Sequence, residues 1–323
     1  MTQSTNLNIC SDVILNIETM EVDEVEEVVS IEKATKKFKD KTAVDELSCS
    51  IQRGEVVAIL GPNGAGKSTT ILMMLGLLEP TEGKVEIFRM DPKEKAVREK
   101  IGAMLQEVSV IDTLTVKEII QLFRSYYATP MDFEELVALT GLKKEEMKKR
   151  ADKLSGGQKR RLGFALALAG DPDLLFFDEP TVGMDITARK RFWDTVKALK
   201  EKGKTIIFTT HYLQEADDVA ERILLFHKGK VVADGTPHAI KNRLTKQSVS
   251  FIENSEVPLD EIRSLAIVSD VYVKNNRVIV VTEQTDDVLA YLFEKRLGVK
   301  GIEIEKGRLD EAFEQLTKNK EAI

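Results

Sequence analysis

An α/β fold, a sheet flanked by helices and followed in the sequence by a smaller α+β unit, is what this chain of 323 residues predicts. Three observations carry that expectation. Val56-Val57-Ala58-Ile59-Leu60 is too short and too apolar for anything but a buried strand, and Asp173-Leu174-Leu175-Phe176-Phe177 reads the same way. The first of these runs into a glycine-rich segment and then an apolar helical pattern over residues 69–75, as strands and helices alternate in layered α/β proteins. Beyond residue 245 the periodicities follow the order β-α-β-β-α-β, that of a split βαβ, ferredoxin-like unit.

The glycine-rich segment is Gly61-Pro62-Asn63-Gly64-Ala65-Gly66-Lys67-Ser68, which fits the Gly-x-x-x-x-Gly-Lys-Ser/Thr pattern for holding a nucleoside triphosphate. Its glycines permit backbone angles that a side chain forbids, so successive N–H groups turn inward on phosphate oxygens at the helix N-terminus. Lys67 is expected to bring a point charge to the β and γ phosphates, and the Ser68 hydroxyl to ligate Mg²⁺. A mere turn between strand and helix would not require Lys-Ser at those two places.

The strand at 173–177 ends in adjacent carboxylates, Asp178 and Glu179. Two acids at the open end of a parallel strand are costly to desolvate without a cation. Asp178 is therefore expected near Mg²⁺, directly or in its outer sphere, and Glu179 is expected to polarise the water that attacks the γ-phosphate. A further segment, Leu154-Ser155-Gly156-Gly157-Gln158, lies between the glycine loop and these acids.

With these motifs in this order, residues 29–243 resemble the nucleotide-binding subunit of ATP-binding cassette (ABC) transporters. Other stations of that family stand in the expected slots. Gln106 matches the loop glutamine that senses Mg²⁺ and the transmembrane partner, and Gly183-Met184-Asp185 matches the loop that crosses the dimer interface. His211, after the apolar strand 205–210, matches the switch histidine at the γ-phosphate. Phe38 stands where an aromatic ring stacks on adenine, although a ring there can also pack on the edge of a sheet.

The resemblance implies a mixed sheet with an antiparallel β edge, a helical subdomain over about residues 107–160, and a working cycle. ATP would be held by Phe38, residues Gly61, Pro62, Asn63, Gly64, Ala65, Gly66, Lys67, Ser68 and Thr69, with Mg²⁺ on Ser68, Gln106 and Asp178. Glu179, His211 and Gln106 would form the catalytic set. Ser155, Gly156, Gly157 and Gln158 would act on the ATP of a second copy of the chain, with Asp185 at the interface between the two. Closure and reopening of that homodimer would drive permease subunits in the membrane.

Composition fits a motor subunit. No apolar stretch reaches the ~18 residues that a spanning helix needs, so membrane passage is expected of other chains and membrane association to be indirect. No secretory signal is visible, which leads to the expectation of a peripheral position on the cytoplasmic face. Cys10 and Cys49 have neither metal nor redox spacing. A net charge of −7 argues against nucleic acid as a partner.

Residues 1–28 hold seven acids and no Lys or Arg. They read as an acidic tail, an edge strand or a contact segment, with a largely flexible extension the favoured reading. Helices are expected at 115–120, 131–139 and 143–150. In residues 245–323, strands are expected at 248–252, 271–274, 277–281 and 299–305, with the middle pair joined through Asn275-Asn276. Helices are expected at 259–265, 286–296 and 309–319. This unit carries no visible chemistry, and with the sequence Gln158-Lys159-Arg160-Arg161-Leu162-Gly163 it makes the chain similar to the ATPases of ABC-2 type exporters of antibiotics, lipids or glycans. Import, a cell-envelope process, or a soluble cassette acting on ribosomes or DNA stand as alternatives.

Overall fold

Residues 26–106, 111–244, 247–252 and 257–305 are described by the computed structural model. The chain opens with a long hairpin, β1 (Glu27–Phe38) and β2 (Lys41–Gln52), followed by β3 (Val56–Leu60) and α1 (Lys67–Met74). Next come β4 (Glu82–Ile87), the short α2 (Lys95–Arg98) and β5 (Ile101–Met104). The helical stretch holds α3 (Val116–Arg124), α4 (Phe133–Thr140) and α5 (Gly156–Leu168). Then β6 (Leu174–Asp178), α6 (Ile186–Glu201), β7 (Thr205–Thr209), α7 (Leu213–Val219), β8 (Arg222–His227), β9 (Lys230–Gly235) and α8 (Pro237–Leu244) complete the larger unit.

Its central sheet has the order β5-β6-β7-β3-β8-β9, parallel except for the β8–β9 hairpin. All residues of β3, β6 and β7 are buried, as strands covered on both faces must be. Side chains alternate between two cores. Ala58, Phe177 and Phe208 face a cluster built with α5 and α6, where Phe164 and Phe192 meet Phe177 edge to face and Trp193 packs at a tilt on Phe208. Ile59, Phe176 and Ile207 face the opposite cluster, closed by α1 and the antiparallel sheet β2-β1-β4. This is the mixed sheet with an antiparallel edge that the resemblance implied.

Some element boundaries differ from expectation. β1 starts at Glu27 with Val28 buried, so the last residues assigned to the extension belong to the sheet; residues 1–25 lie outside the described residues. The expected helix at 143–150 is absent. Two 3-10 turns, Glu146–Lys148 and Ala151–Lys153, stand in its place. The backbone there pairs elsewhere: Val116 N–H donates to Lys149 O at 3.0 Å and Ala151 N–H to Leu114 O at 3.0 Å. Those bonds compete with the helical ladder and win.

The C-terminal segment forms β10 (Gln247–Ile252), α9 (Leu259–Ser264), β11 (Val268–Lys274), β12 (Arg277–Thr282), α10 (Thr285–Glu294) and β13 (Glu303–Glu305). Its sheet order, β11-β12-β10-β13, is antiparallel throughout, the pattern of a split βαβ unit. Asn275 and Asn276, at φ 52° and 61°, make the tight hairpin turn. Val249, Phe251, Ile262, Val280 and Leu292 form a core of their own. The last strand is shorter than expected, and the helix expected at 309–319 lies outside the described residues.

Candidate active site

Parallel register brings the motifs to one end of the sheet. Ile59 pairs with Thr209, and Thr209 with Asp178, so the loops that leave β3, β6 and β7 emerge side by side. Met104 of β5 pairs with Phe177, which carries Gln106, two residues on, level with Glu179. The β1–β2 hairpin brings Phe38 to the same place. The resulting open cleft of about 740 Å³ is lined by Phe38, Lys41, Asn63, Lys67, Ser68, Gln106, Glu179 and His211, among others. Sequence positions separated by up to 173 residues thus share one wall-to-wall cavity.

The glycine loop is shaped by close backbone approach. Gly61, Gly64 and Gly66 have φ of 156°, 78° and 106°, in the region that L side chains avoid. A Cβ on Gly61 would lie 2.5 Å from Phe226 O, and one on Gly66 would lie 2.5 Å from Ala43 O. Gly229 N–H donates to Ala65 O at 3.0 Å, which ties the loop to the β8–β9 turn. Lys67 donates to Gly61 O at 2.7 Å and Pro62 O at 3.2 Å, so its ammonium sits within the curve of the loop. Burial holds the Lys67 ammonium below the ordinary lysine value, against the opposing pull of Glu179 and Asp178.

The acid pair is organised by a residue that the sequence reading missed. Thr209 Oγ1 donates to Asp178 Oδ1 at 2.5 Å and accepts the Glu179 N–H at 2.9 Å. Glu179 itself has φ of 50°, an uncommon conformation for a non-glycine residue. Its Oε2 accepts from Gln106 Nε2 at 3.3 Å and lies 3.0 Å from His211 Nε2. The three residues named as a catalytic set therefore meet on one carboxylate oxygen. Arg160 of α5 also faces these acids: burial pushes its guanidinium down while Glu179 and Asp178 pull it up. An arginine five residues past Ser155 was the available sequence signal for Arg160, and Thr209 carried none until strand register paired it with Asp178.

Ser155 to Gln158 do not line this cleft. Ser155 caps α5 in a reciprocal box: its Oγ accepts Gln158 N–H at 3.3 Å, and Gln158 Oε1 accepts Ser155 N–H at 2.9 Å. The Gln158 amide and Arg161 both donate to Glu146 Oε1, at 2.8 and 2.7 Å. Nothing lies within 4 Å of a Cβ built on Gly156 or Gly157. Asp185 caps α6 by accepting Ala188 N–H at 2.8 Å, and Ile186 beside it is 86% exposed. Among the described residues no helix is long and apolar enough to cross a membrane.

A glycine phosphate loop, an acid pair and a histidine at the open end of a parallel sheet define a P-loop nucleotide-binding protein. The chain belongs to the ABC transporter family, whose model matches residues 44–182. A second model, described as an AAA domain, putative AbiEii toxin, Type IV TA system, matches residues 148–217. A Nod factor export ATP-binding protein I of Burkholderia lata is 36% identical over 218 residues, 66% of this chain and 72% of that one. A probable multidrug ABC transporter ATP-binding protein of Escherichia coli K12 is 39% identical over 232 residues, 70% of this chain but only 40% of the relative. This chain therefore spans less than half the length of that relative.

Among solved structures, a dimeric ATP-binding cassette in a post-hydrolysis state with ADP and Pi aligns with a TM-score of 0.60 at 30% identity. The alignment covers 64% of this chain and 98% of that one. A bacterial Atm1-family ABC exporter with ATP bound aligns at 0.60 and 26% identity, over 68% of this chain and 40% of that one.

Proposed function

We propose that this chain is the ATP-hydrolysing subunit of an exporter, working as a homodimer on separate permease subunits at the cytoplasmic face of the membrane. The observation that carries the hydrolytic part is the convergence of Gln106 and His211 on Glu179, in a cleft that Lys67 also lines. Adenine would stack on Phe38, while Lys67 and the N–H groups of residues 61–69 would bind the phosphates. Glu179 would take the proton of the attacking water, and His211 would hold that carboxylate and the γ-phosphate in line.

A magnesium ion suits the remaining donors. A cation would rest on the hydroxyl of Ser68 and the amide oxygen of Gln106, both of which line the cleft, and on the carboxylate of Asp178. These are hard oxygen donors, the set that Mg²⁺ prefers alongside phosphate oxygens. The Gln106 amide nitrogen already donates to Glu179, which leaves its oxygen for that duty. When bound, the ion would neutralise charge on the β and γ phosphates.

The dimer reading rests on Gly156 and Gly157, which have no neighbour that forbids a side chain within their own chain. A partner's phosphate meeting the α5 N-terminus would give them one. Export rather than import is supported by the relatives named for Nod factor export, beside one named for multidrug transport. The decisive experiment is Glu179→Gln in the purified chain with MgATP. Turnover should fall by about 10²-fold or more with ATP still bound and a dimer accumulating on sizing; turnover near wild type would sink the assignment.

A further inference from the structure

Glu215 is a buried carboxylate that the cycle above does not use. It stands in the first turn of α7 and is 6% exposed, where an unpaired charge is costly. Two different loops satisfy it. Thr181 Oγ1 donates to its Oε1 at 2.8 Å and Thr210 Oγ1 to its Oε2 at 2.6 Å. Thr181 lies two residues past Glu179, and Thr210 immediately precedes His211. The Thr210 hydroxyl accepts Tyr212 N–H at 3.0 Å, which directs its own proton to Glu215.

A third element reaches the same carboxylate. Arg189 of α6, four residues past Asp185, has its Nε 3.4 Å from Glu215 Oε1 and its guanidinium 4.3 Å over the Tyr212 ring. Arg189 Nε makes no hydrogen bond, so this arm is an ion pair braced on a ring rather than a directional bond. The two hydroxyl arms are charge-assisted and rigid; the arginine arm can stretch.

We infer that Glu215 is a positioning residue for ATP hydrolysis, holding the Glu179 loop and the His211 loop as one body and linking both, through Arg189, to the Asp185 loop. The inference rests on Glu179 and His211 acting as proposed above. Their 3.0 Å contact joins two separate loops, and a shared carboxylate beneath those loops fixes its geometry.

The test is steady-state ATPase of the full chain with MgATP, run beside Glu179→Gln. Thr210→Val keeps the side-chain volume and deletes the hydroxyl, and kcat should drop about tenfold, since small misplacement of reacting groups is costly. KM for ATP should stay within about twofold, because the phosphate loop is untouched. Thr210→Ser, which retains the hydroxyl, should recover wild-type turnover. Glu215→Gln, which cannot accept both hydroxyls as the carboxylate does, should repeat the kcat loss at unchanged KM and carries the test if the valine variant folds poorly. Wild-type kcat in both Thr210→Val and Glu215→Gln, in preparations where Glu179→Gln is inactive, overturns the inference and leaves the hydrolytic assignment standing. Equal loss in the serine and valine variants overturns it too. An active Glu179→Gln instead overturns the assignment beneath it.

Discussion

Gly61 and Gly66 are glycines for a different reason from Gly156 and Gly157. In the phosphate loop each has a positive φ, and a side chain would collide with the carbonyl of Phe226 or Ala43 at 2.5 Å. At the start of α5 both glycines have ordinary negative φ, and open space surrounds them. The first pair is required by the fold of one chain. The second pair is not required by that fold, since nothing near either residue excludes a side chain. The contrast separates residues that the fold itself requires from residues left open to a contact of the kind the proposed homodimer would supply.

The sharpest way to break that contrast is to substitute both kinds. Gly157→Leu should abolish turnover by the dimer while leaving nucleotide binding intact and the melting temperature equal or up to about 3 °C higher, because leucine is the better helix former. Gly66→Ala should lower the melting temperature and weaken nucleotide binding together, with a loss of about 2 kcal/mol or more from a strained backbone and a collision. Cooperative ATPase in the leucine variant would mean that Gly157 has no partner. Calorimetry and ATPase assays on the same two preparations settle both points.

Acid provides a smaller test of the scaffold beneath α5. Burial pushes the Glu146 carboxyl up, but the Lys143 N–H, the Gln158 amide and the Arg161 guanidinium outweigh it and hold it below the ordinary glutamate value of 4.5. A group lowered in this way contributes stability that is full above 4.5 and is lost as the pH falls through its folded value. Wild type should therefore lose melting temperature more steeply below that pH than Glu146→Gln, as followed by circular dichroism at stepped pH. Matching slopes would remove Glu146 from the account. Smallest of all, Phe38→Ala should raise KM for ATP about fivefold, the value of one stacked ring, and Phe38→Tyr should leave it unchanged.

Much of the larger unit was legible because its signals are local. Val56 to Leu60 can only be a buried strand, and the run from Gly61 to Ser68 carries the whole phosphate-loop pattern in eight consecutive residues. The turn at Asn275-Asn276 was equally plain, since both residues tolerate the left-handed region. What stayed hidden depends on pairing between distant segments. Thr209 looks like one more β-branched strand residue until register sets it beside Asp178. Lys143 to Arg150 have helical composition, yet the bonds from Val116 and to Leu114 draw their backbone away. Glu215 carried no sequence mark beyond an acid in a first helical turn, and its meaning comes only from the three segments that reach it.

The φ of 50° at Glu179 has a consequence for how this protein tolerates change. A residue held in that region costs about 1–3 kcal/mol, which glycine would recover at once. A screen that rewards endurance alone would thus select against the carboxylate, and if Glu179 acts as proposed, the hardier chain it produced would grip nucleotide without spending it. On that reading robustness and turnover compete at a single backbone torsion, and the glutamate marks which of the two has prevailed.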